Sequence, residues 1–218
     1  MKITESAILN DGNKMPYLGL GTYQGTPNKS MIKAVTTALE IGYRHIDTAE
    51  MYRNEENVGQ GISDSGVDRS EIFVTSKVWP SNLGYESTRR ACEQSLERLG
   101  TDYLDLYLIH WPDGRDKILE SWNAMIEMQK NGMIKSIGVS NFSNQQLQAL
   151  LDDSDIPPTV NQIEFHPFNF RKEIWEFCKE NSIQLEAYSP LTRGKRFNHP
   201  AVQNAAKAHN KTPAQILT

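Results

Sequence analysis

From about residue 17 onward the chain alternates between two hydrophobic periods. Short runs rich in β-branched and aromatic residues read as strands: LGLGT (18–22), RHID (44–47), IFVTSKV (72–78), LDLYLIH (104–110), IKSIGVS (134–140), TVNQIEF (159–165) and IQLEAYS (183–189). Between them apolar residues recur at helical spacing. From Tyr85 to Leu99, Cys92, Leu96 and Leu99 share one face, while Arg89, Arg90, Glu93 and Glu97 take the wet side. Ile118, Trp122 and Met125 repeat the pattern, and Asn131-Gly132 offers a helix stop. A later helix carries Ile174, Phe177 and Cys178 on one face. Ahead of the first run, ITESAIL and DGNKMPYL read as a β-hairpin turning at Asp11-Gly12.

Seven strands in strict alternation with helices predict a parallel sheet, because parallel neighbours need helical crossovers. The GxGxxG fingerprint of a dinucleotide-binding doubly wound sheet is absent from the first strand-to-helix turn, where LGLGTYQG supplies only Gly19 and Gly21. The expected fold is therefore an α/β (β/α)8 TIM barrel, a single domain over residues 1–218 with a hairpin over 1–17 closing its bottom. Strand ends at 21, 47, 77, 110, 140, 162 and 188 recur about every 28 residues, so an eighth would finish near residue ~216. Residues 199–210 instead read as helix, and Thr212-Pro213 as a fresh helix start. The expectation is a barrel whose last βα unit is missing from this chain. Its first and seventh strands would then keep open edges through which copies could associate, whereas an intact barrel would be a monomer.

Composition narrows the partners. The 23 Lys+Arg against 27 Asp+Glu give a formal charge of −4, without the basic footprint that nucleic acid selects. No apolar run reaches the ~20 residues of a membrane span, and MKITESAILNDG lacks the apolar middle of a secretory signal. Cys92 and Cys178 show no metal-type spacing and read as free thiols of a cytoplasmic protein.

In a barrel the chemistry lies at the C-terminal strand ends. The polar residues there are Asp47, Lys77, His110, Ser140, Asn141, Gln162 and Tyr188, with Tyr52 five residues after Asp47. Burying such a set is costly unless its charges pair. A free phenol, with a pKa of about 10, is a poor acid at neutral pH. An ammonium at Lys77 would stabilise the phenolate, lowering that pKa and making Tyr52 a proton donor, while Asp47 keeps Lys77 charged and aimed. A neutral His110 could orient the same oxygen. With no obvious nucleophile, the partner of such an acid is expected to be a hydride cofactor and the substrate a small carbonyl compound.

The chain also resembles a known family. GYRHIDTAEMYRNEENVG (42–59), VTSKVW (74–79), LIHWP (108–112), GVSNF (138–142), NQIEFHP (161–167) and AYSPL (187–191) are similar to successive signatures of the aldo-keto reductases, most of all bacterial 2,5-diketogluconate, glyoxal and methylglyoxal reductases. The resemblance implies an NADPH-dependent carbonyl reductase, with NADH not excluded. It implies a catalytic tetrad of Asp47, Tyr52, Lys77 and His110, with Tyr52 the acid in reduction and the base in oxidation. Ser140, Asn141 and Gln162 would hold the nicotinamide carboxamide and Tyr188 would stack on the ring, with Asp47 beside it. Gly21 and Thr22 would approach the cofactor, and Ser189 and Leu191 the pyrophosphate. Tyr23, Trp79 and Trp111 would wall the substrate pocket. Residues that grip an adenosine 2′-phosphate in this family correspond to positions beyond Thr218, so weakened cofactor binding is expected of the 218-residue chain. The loop after His110, WPDGRDKIL, is short.

Three other readings fit parts of the set. His45, Asp47, Lys77, His110 and His166 could form a metal-dependent hydrolase site, but that leaves Tyr52, Asn141, Gln162 and Tyr188 without a task, and no metal is expected. A non-catalytic or cofactor-impaired barrel is the second. A Schiff-base aldolase on Lys77 is the third, opposed by the Asp partner that keeps the amine protonated.

Overall fold

A computed structural model describes residues 5–218; the first four residues of the expected hairpin segment lie outside it. The hairpin pairs β1 (Ser6–Ile8) antiparallel with β2 (Lys14–Pro16). Its turn needs the positive φ of 88° at Gly12, a backbone region that glycine enters without steric cost. Seven parallel strands follow in chain order: β3 (Leu20–Gly21), β4 (His45–Asp47), β5 (Phe73–Val78), β6 (Leu104–Ile109), β7 (Ile134–Ser140), β8 (Val160–Glu164) and β9 (Gln184–Tyr188). Sequential order with every neighbour parallel is the topology of a (β/α) barrel. Among the described residues β3 and β9 end the sheet and do not pair. The first run shrinks most: only Leu20 and Gly21 of LGLGT are in register with β4.

The crossovers are α1 (Lys29–Glu40), α2 (Glu55–Asp64), α3 (Tyr85–Leu99), α4 (Arg115–Lys130), α5 (Asn144–Asp153) and α6 (Lys172–Glu180), with α7 (Pro200–His209) and α8 (Pro213–Leu217) after β9. Local chemistry sets their ends. Ser143 and Gln146 form a capping box on α5, and Thr212 and Gln215 form another on α8. Gly132, at φ 79°, follows the last turn of α4. The larger core lies between helices and sheet, where Val35, Leu39, Ile46, Val74, Cys92, Tyr107, Trp122, Met125, Ile137 and Val139 are buried together.

A smaller cluster joins the hairpin to the barrel. Leu9 and Met15 pack with Phe73, Leu106, Leu108 and Val160, and Asn13 donates to Ser136 Oγ at 3.0 Å and Lys135 O at 3.2 Å. Close packing also dictates Gly138: a Cβ there would meet Leu108 Cδ2 and the Val160 carbonyl, each at 2.8 Å. This apolar filling reaches as far as Leu108, which is in register with Lys77 and so adjoins the polar inward positions.

Candidate active site

Period-2 alternation on each strand aims Asp47 of β4, Lys77 of β5 and Gln162 of β8 into the barrel. Lys77 is completely buried, and its Nζ lies 2.5 Å from Asp47 Oδ1 and donates to the Thr48 carbonyl at 2.9 Å. The other Asp47 oxygen accepts from Gln162 Nε2 at 2.8 Å. Tyr52 comes in on a 3-10 turn (Glu50–Tyr52), closed by Arg53 in the left-handed conformation. This places the Lys77 ammonium 5.3 Å from the Tyr52 ring centroid. His110, just past β6, completes the group, its ring 5.6 Å from that of Tyr52 and nearly perpendicular to it.

The electrostatics follow from burial. Burial alone pulls the Lys77 ammonium down, but Asp47, Tyr52 and Glu186 outweigh it, so its pKa ends raised and the amine stays charged. His110 is pushed down to about 3, first by burial and then by the Lys77 charge, so its imidazole is neutral near pH 7. Tyr52 differs from the sequence expectation. Lys77 does favour the phenolate, but burial acts more strongly and Asp47 acts the other way, so the phenol's pKa is raised, not lowered. In this state the tyrosine holds its proton.

The remaining rim residues form a connected polar lattice. Ser140 Oγ donates to the Gln162 carbonyl at 2.9 Å, and Asn141 Nδ2 bonds the His110 carbonyl and Ser140 Oγ, each at 3.0 Å. The Tyr188 hydroxyl donates to Asn141 Oδ1 at 3.0 Å. Gly21 pairs in register with Asp47 and is exposed, and a Cβ on it would meet nothing within 4 Å. Thr22 is buried with Oγ1 unpartnered, as is His110 Nδ1. Around the mouth, the Tyr23 ring lies 5.1 Å from Tyr52 and the Trp79 ring 5.1 Å from His110. Trp111 is exposed and makes no ring contact with the others among the described residues. Ser189, at φ 51°, and Leu191 lie in the loop after β9, where they accept the bonds of local turns from Thr192 and Gly194.

Several site residues were not singled out by sequence reasoning. Asn54 is buried and links three segments, accepting from Thr48 Oγ1 at 2.9 Å and donating to the carbonyls of Thr22 at 2.9 Å and Gly25 at 3.3 Å. Glu50 accepts from the Trp79 backbone N–H and from Asn82, fixing the loop that carries Trp79. Glu186 points inward from β9; alternation with Tyr188 was the available signal. The metal reading is not assembled as drawn. His45 and Asp47 do share a face, but their third neighbour is Glu186, with one polar atom from each within 4.8 Å of the others. His166 pairs instead with Asn169 and lies 3.5 Å from Glu164. Asp47 already carries the Lys77 ammonium, while Glu186 keeps one oxygen without a partner.

The sequence matches the model of the Aldo/keto reductase family over residues 17–216. This chain belongs to the aldo/keto reductase family. It is 48% identical to the glyoxal reductase of Bacillus subtilis over 215 residues, covering 99% of this chain and 78% of that one. It is 45% identical to the methylglyoxal reductase DkgA of Escherichia coli over 212 residues, 96% of this chain and 76% of the other. Among solved structures, an aldo/keto reductase from Brucella melitensis superimposes with a TM-score of 0.94 at 47% identity, covering 97% of this chain and 82% of that one. A Bombyx mori aldo-keto reductase in complex with NADP gives 0.91 at 39% identity, covering 100% and 80%. The family is one of oxidoreductases. No helix among the described residues is long and apolar enough to cross a membrane.

Proposed function

We propose that this chain is a carbonyl reductase of small aldehydes, dicarbonyls or keto-sugars that uses NADPH, with NADH as the weaker alternative. The observation that carries the reading is the enclosed Lys77 ammonium, held by Asp47 at 2.5 Å and set against the Tyr52 ring beside a neutral His110. A buried charge is costly, and this one is arranged so that a phenol shares it. The relatives named glyoxal and methylglyoxal reductase support the substrate class, and the NADP-bound neighbour supports the cofactor.

The rim suits such a cofactor. Ser140, Asn141 and Gln162 offer neutral hydroxyl and amide groups, matched to a carboxamide rather than to a charge. Tyr188 offers a half-buried ring, and the space over Gly21 is open. Ser189 and Leu191 lie on the adjoining loop for the pyrophosphate, and Thr22 carries an unpartnered hydroxyl. When bound, the cofactor supplies hydride to the carbonyl carbon. Tyr52 gives its proton to the carbonyl oxygen, and Lys77 stabilises the phenolate left behind. Asp47 holds Lys77 protonated and in place. His110, neutral, donates to the same oxygen and orients it. Tyr23, Trp79 and Trp111 wall the substrate side and keep water from the transfer.

The chain acts as one domain, with the hairpin packed over the barrel's N-terminal mouth. We place it in the cytoplasm, acting on a small molecule, with a monomer expected of an intact barrel and edge-to-edge association of one whose β3 and β9 stay open, without nucleic-acid or membrane partners. Cys92 and Cys178 are free and buried, and burial pushes their thiols up to about 12 and about 11, which makes them poor nucleophiles.

The test mixes the protein with NADPH and methylglyoxal and follows reduced nicotinamide by absorbance. Turnover that survives a chelator and is lost in Tyr52→Phe is the expected result. Chelator-sensitive hydrolysis without NADPH consumption would overturn the reading in favour of metal chemistry. NADPH binding with no turnover of any carbonyl would make the barrel a binding module.

A further inference from the structure

Within the barrel, beside the tetrad, stands a carboxyl that the proposed reaction leaves without a task. Glu186 of β9 is in register with Gln162 of β8 and shares the inward face with Tyr188. Its Oε1 lies 4.0 Å from His45 Nε2, and its Oε2 is buried without a partner. One polar atom each from Glu186, His45 and Asp47 lies within 4.8 Å of the others. Two carboxyls this close compete for positive charge, and the competition is unequal. Asp47 has the Lys77 ammonium on one oxygen and the Gln162 amide on the other.

We propose that Glu186 is a positioning residue of the reductase: ionised, it draws the field of Lys77 away from Tyr52, and protonated, it leaves that field to Asp47 and the phenol. Its proton thereby sets how readily Tyr52 releases its own. The proposal rests on Tyr52 being the proton donor.

The groups facing Glu186 are His45 and Asp47 from β4, Lys77 from β5 and Gln162 from β8, with Tyr52 reached through Lys77. Thr75 Oγ1 holds His45 Nε2 at 3.0 Å, and burial keeps that imidazole neutral by pushing it down to about 4. Lys77 stays charged. Burial first, and Asp47 second, push the Glu186 carboxyl up to about 7, so it is the member of the set that changes charge near neutrality. As pH falls through that range the site loses a negative charge, the phenolate becomes easier to form, and Tyr52 becomes the better acid.

The test titrates tyrosine ring ¹³Cζ resonances in the cofactor-free protein and in Glu186→Gln and Glu186→Asp. The Tyr52 midpoint is expected to fall by about half a pH unit or more in Glu186→Gln, which cannot ionise, and to stay near its original position in Glu186→Asp. A side-chain carboxyl ¹³C titration of the unaltered protein is expected to show Glu186 changing charge near neutral pH; this decides the matter should Glu186→Gln not fold. With NADPH and methylglyoxal, kcat/KM of the unaltered protein is expected to fall as pH rises through this window, and that of Glu186→Gln to stay level. An unmoved Tyr52 midpoint, or a Glu186 carboxyl titrating in the ordinary range near pH 4, overturns the proposal. The parent reading fails separately, if Tyr52→Phe keeps its activity.

Discussion

Lys77 Nζ stands 2.5 Å from Asp47 Oδ1, with the lysine side chain wholly enclosed and the aspartate 13% exposed. Removing one partner of a buried pair leaves the other charge uncompensated, at a cost of about 3–5 kcal/mol. Asp47→Asn is therefore expected to lower stability by that order, read by urea unfolding at pH 7, and to lose most reductase activity. The pH dependence has a definite sign. The folded pKa of Lys77 lies above its ordinary value, so its contribution is fully present below about pH 10.5 and is lost as pH rises through the folded value. Alkaline unfolding of Lys77→Met should begin from lower stability and be less steep over that window.

The proposed acid, Tyr52, offers a way to separate chemistry from folding. Its ring packs against Tyr23 and His110, contacts that a phenylalanine retains. Loss of general acid catalysis is worth about 10²–10⁴ in rate. Tyr52→Phe should reduce kcat for methylglyoxal by that order while leaving the thermal midpoint and the NADPH Kd nearly unchanged.

His45 and His110 make the fold acid-sensitive. Their folded pKa values of about 4 and about 3 lie below the ordinary 6.5, so the unfolded chain binds protons first as pH falls. Stability therefore decreases from about pH 6.5 downward, by about 1.4 kcal/mol per pH unit for each histidine, until its folded value is reached. Glu186, whose carboxyl is raised to about 7, opposes this by taking up its proton first in the folded chain; His110→Gln should therefore lower the slope of stability against pH between pH 6 and pH 4.5 by about 1.4 kcal/mol per pH unit, measured by urea titrations at each pH.

The periodic part of this architecture was legible in the sequence. The runs 72–78, 104–110 and 134–140 became β5, β6 and β7 within a residue or so of their predicted bounds, because β-branched patterning and burial agree there. The Tyr85–Leu99 helix matched as well, since its apolar line and the Gly100 stop act together. The first strand shrank to Leu20–Gly21 because strand pairing depends on the partner, and only two residues are in register with β4. In the candidate site, strand-end position was enough to expect Asp47, Lys77 and His110 on one rim, where the structure has them. It could not show that burial outweighs Lys77 at the Tyr52 phenol, which is a three-dimensional balance. Nor did it show Asn54, whose three hydrogen bonds reach 6, 29 and 32 residues away along the chain.

Gly138 tests the packing inside the barrel, where it is in register with Leu108. An added Cβ would lie 2.8 Å from both Leu108 Cδ2 and the Val160 carbonyl. The leucine can shift but the backbone carbonyl cannot easily do so, and overpacking of this kind costs about 1–3 kcal/mol. Gly138→Ala should lower the unfolding free energy by that order. Gly21→Ala faces open space on the same measure and should change stability little, so the pair of variants distinguishes crowding from a general intolerance of alanine.

Tyr188 has two separable functions at the proposed nicotinamide site. Its hydroxyl tethers Asn141 at 3.0 Å, and Asn141 in turn bonds the His110 carbonyl at 3.0 Å, so the amide is aimed before any ligand arrives. Its ring would supply stacking worth about 0.5–1.5 kcal/mol, or about 2- to 13-fold in affinity. Tyr188→Phe keeps the face and removes the tether; it should weaken NADPH binding by no more than a few-fold. Tyr188→Ala removes both and should weaken it further by the stacking factor, measured by quenching of protein fluorescence on NADPH addition. Equal losses in the two variants would place the contribution in the tether alone. Affinity unchanged in Tyr188→Ala would mean that the ring does not meet the nicotinamide, and the cofactor would have to lie elsewhere along the rim.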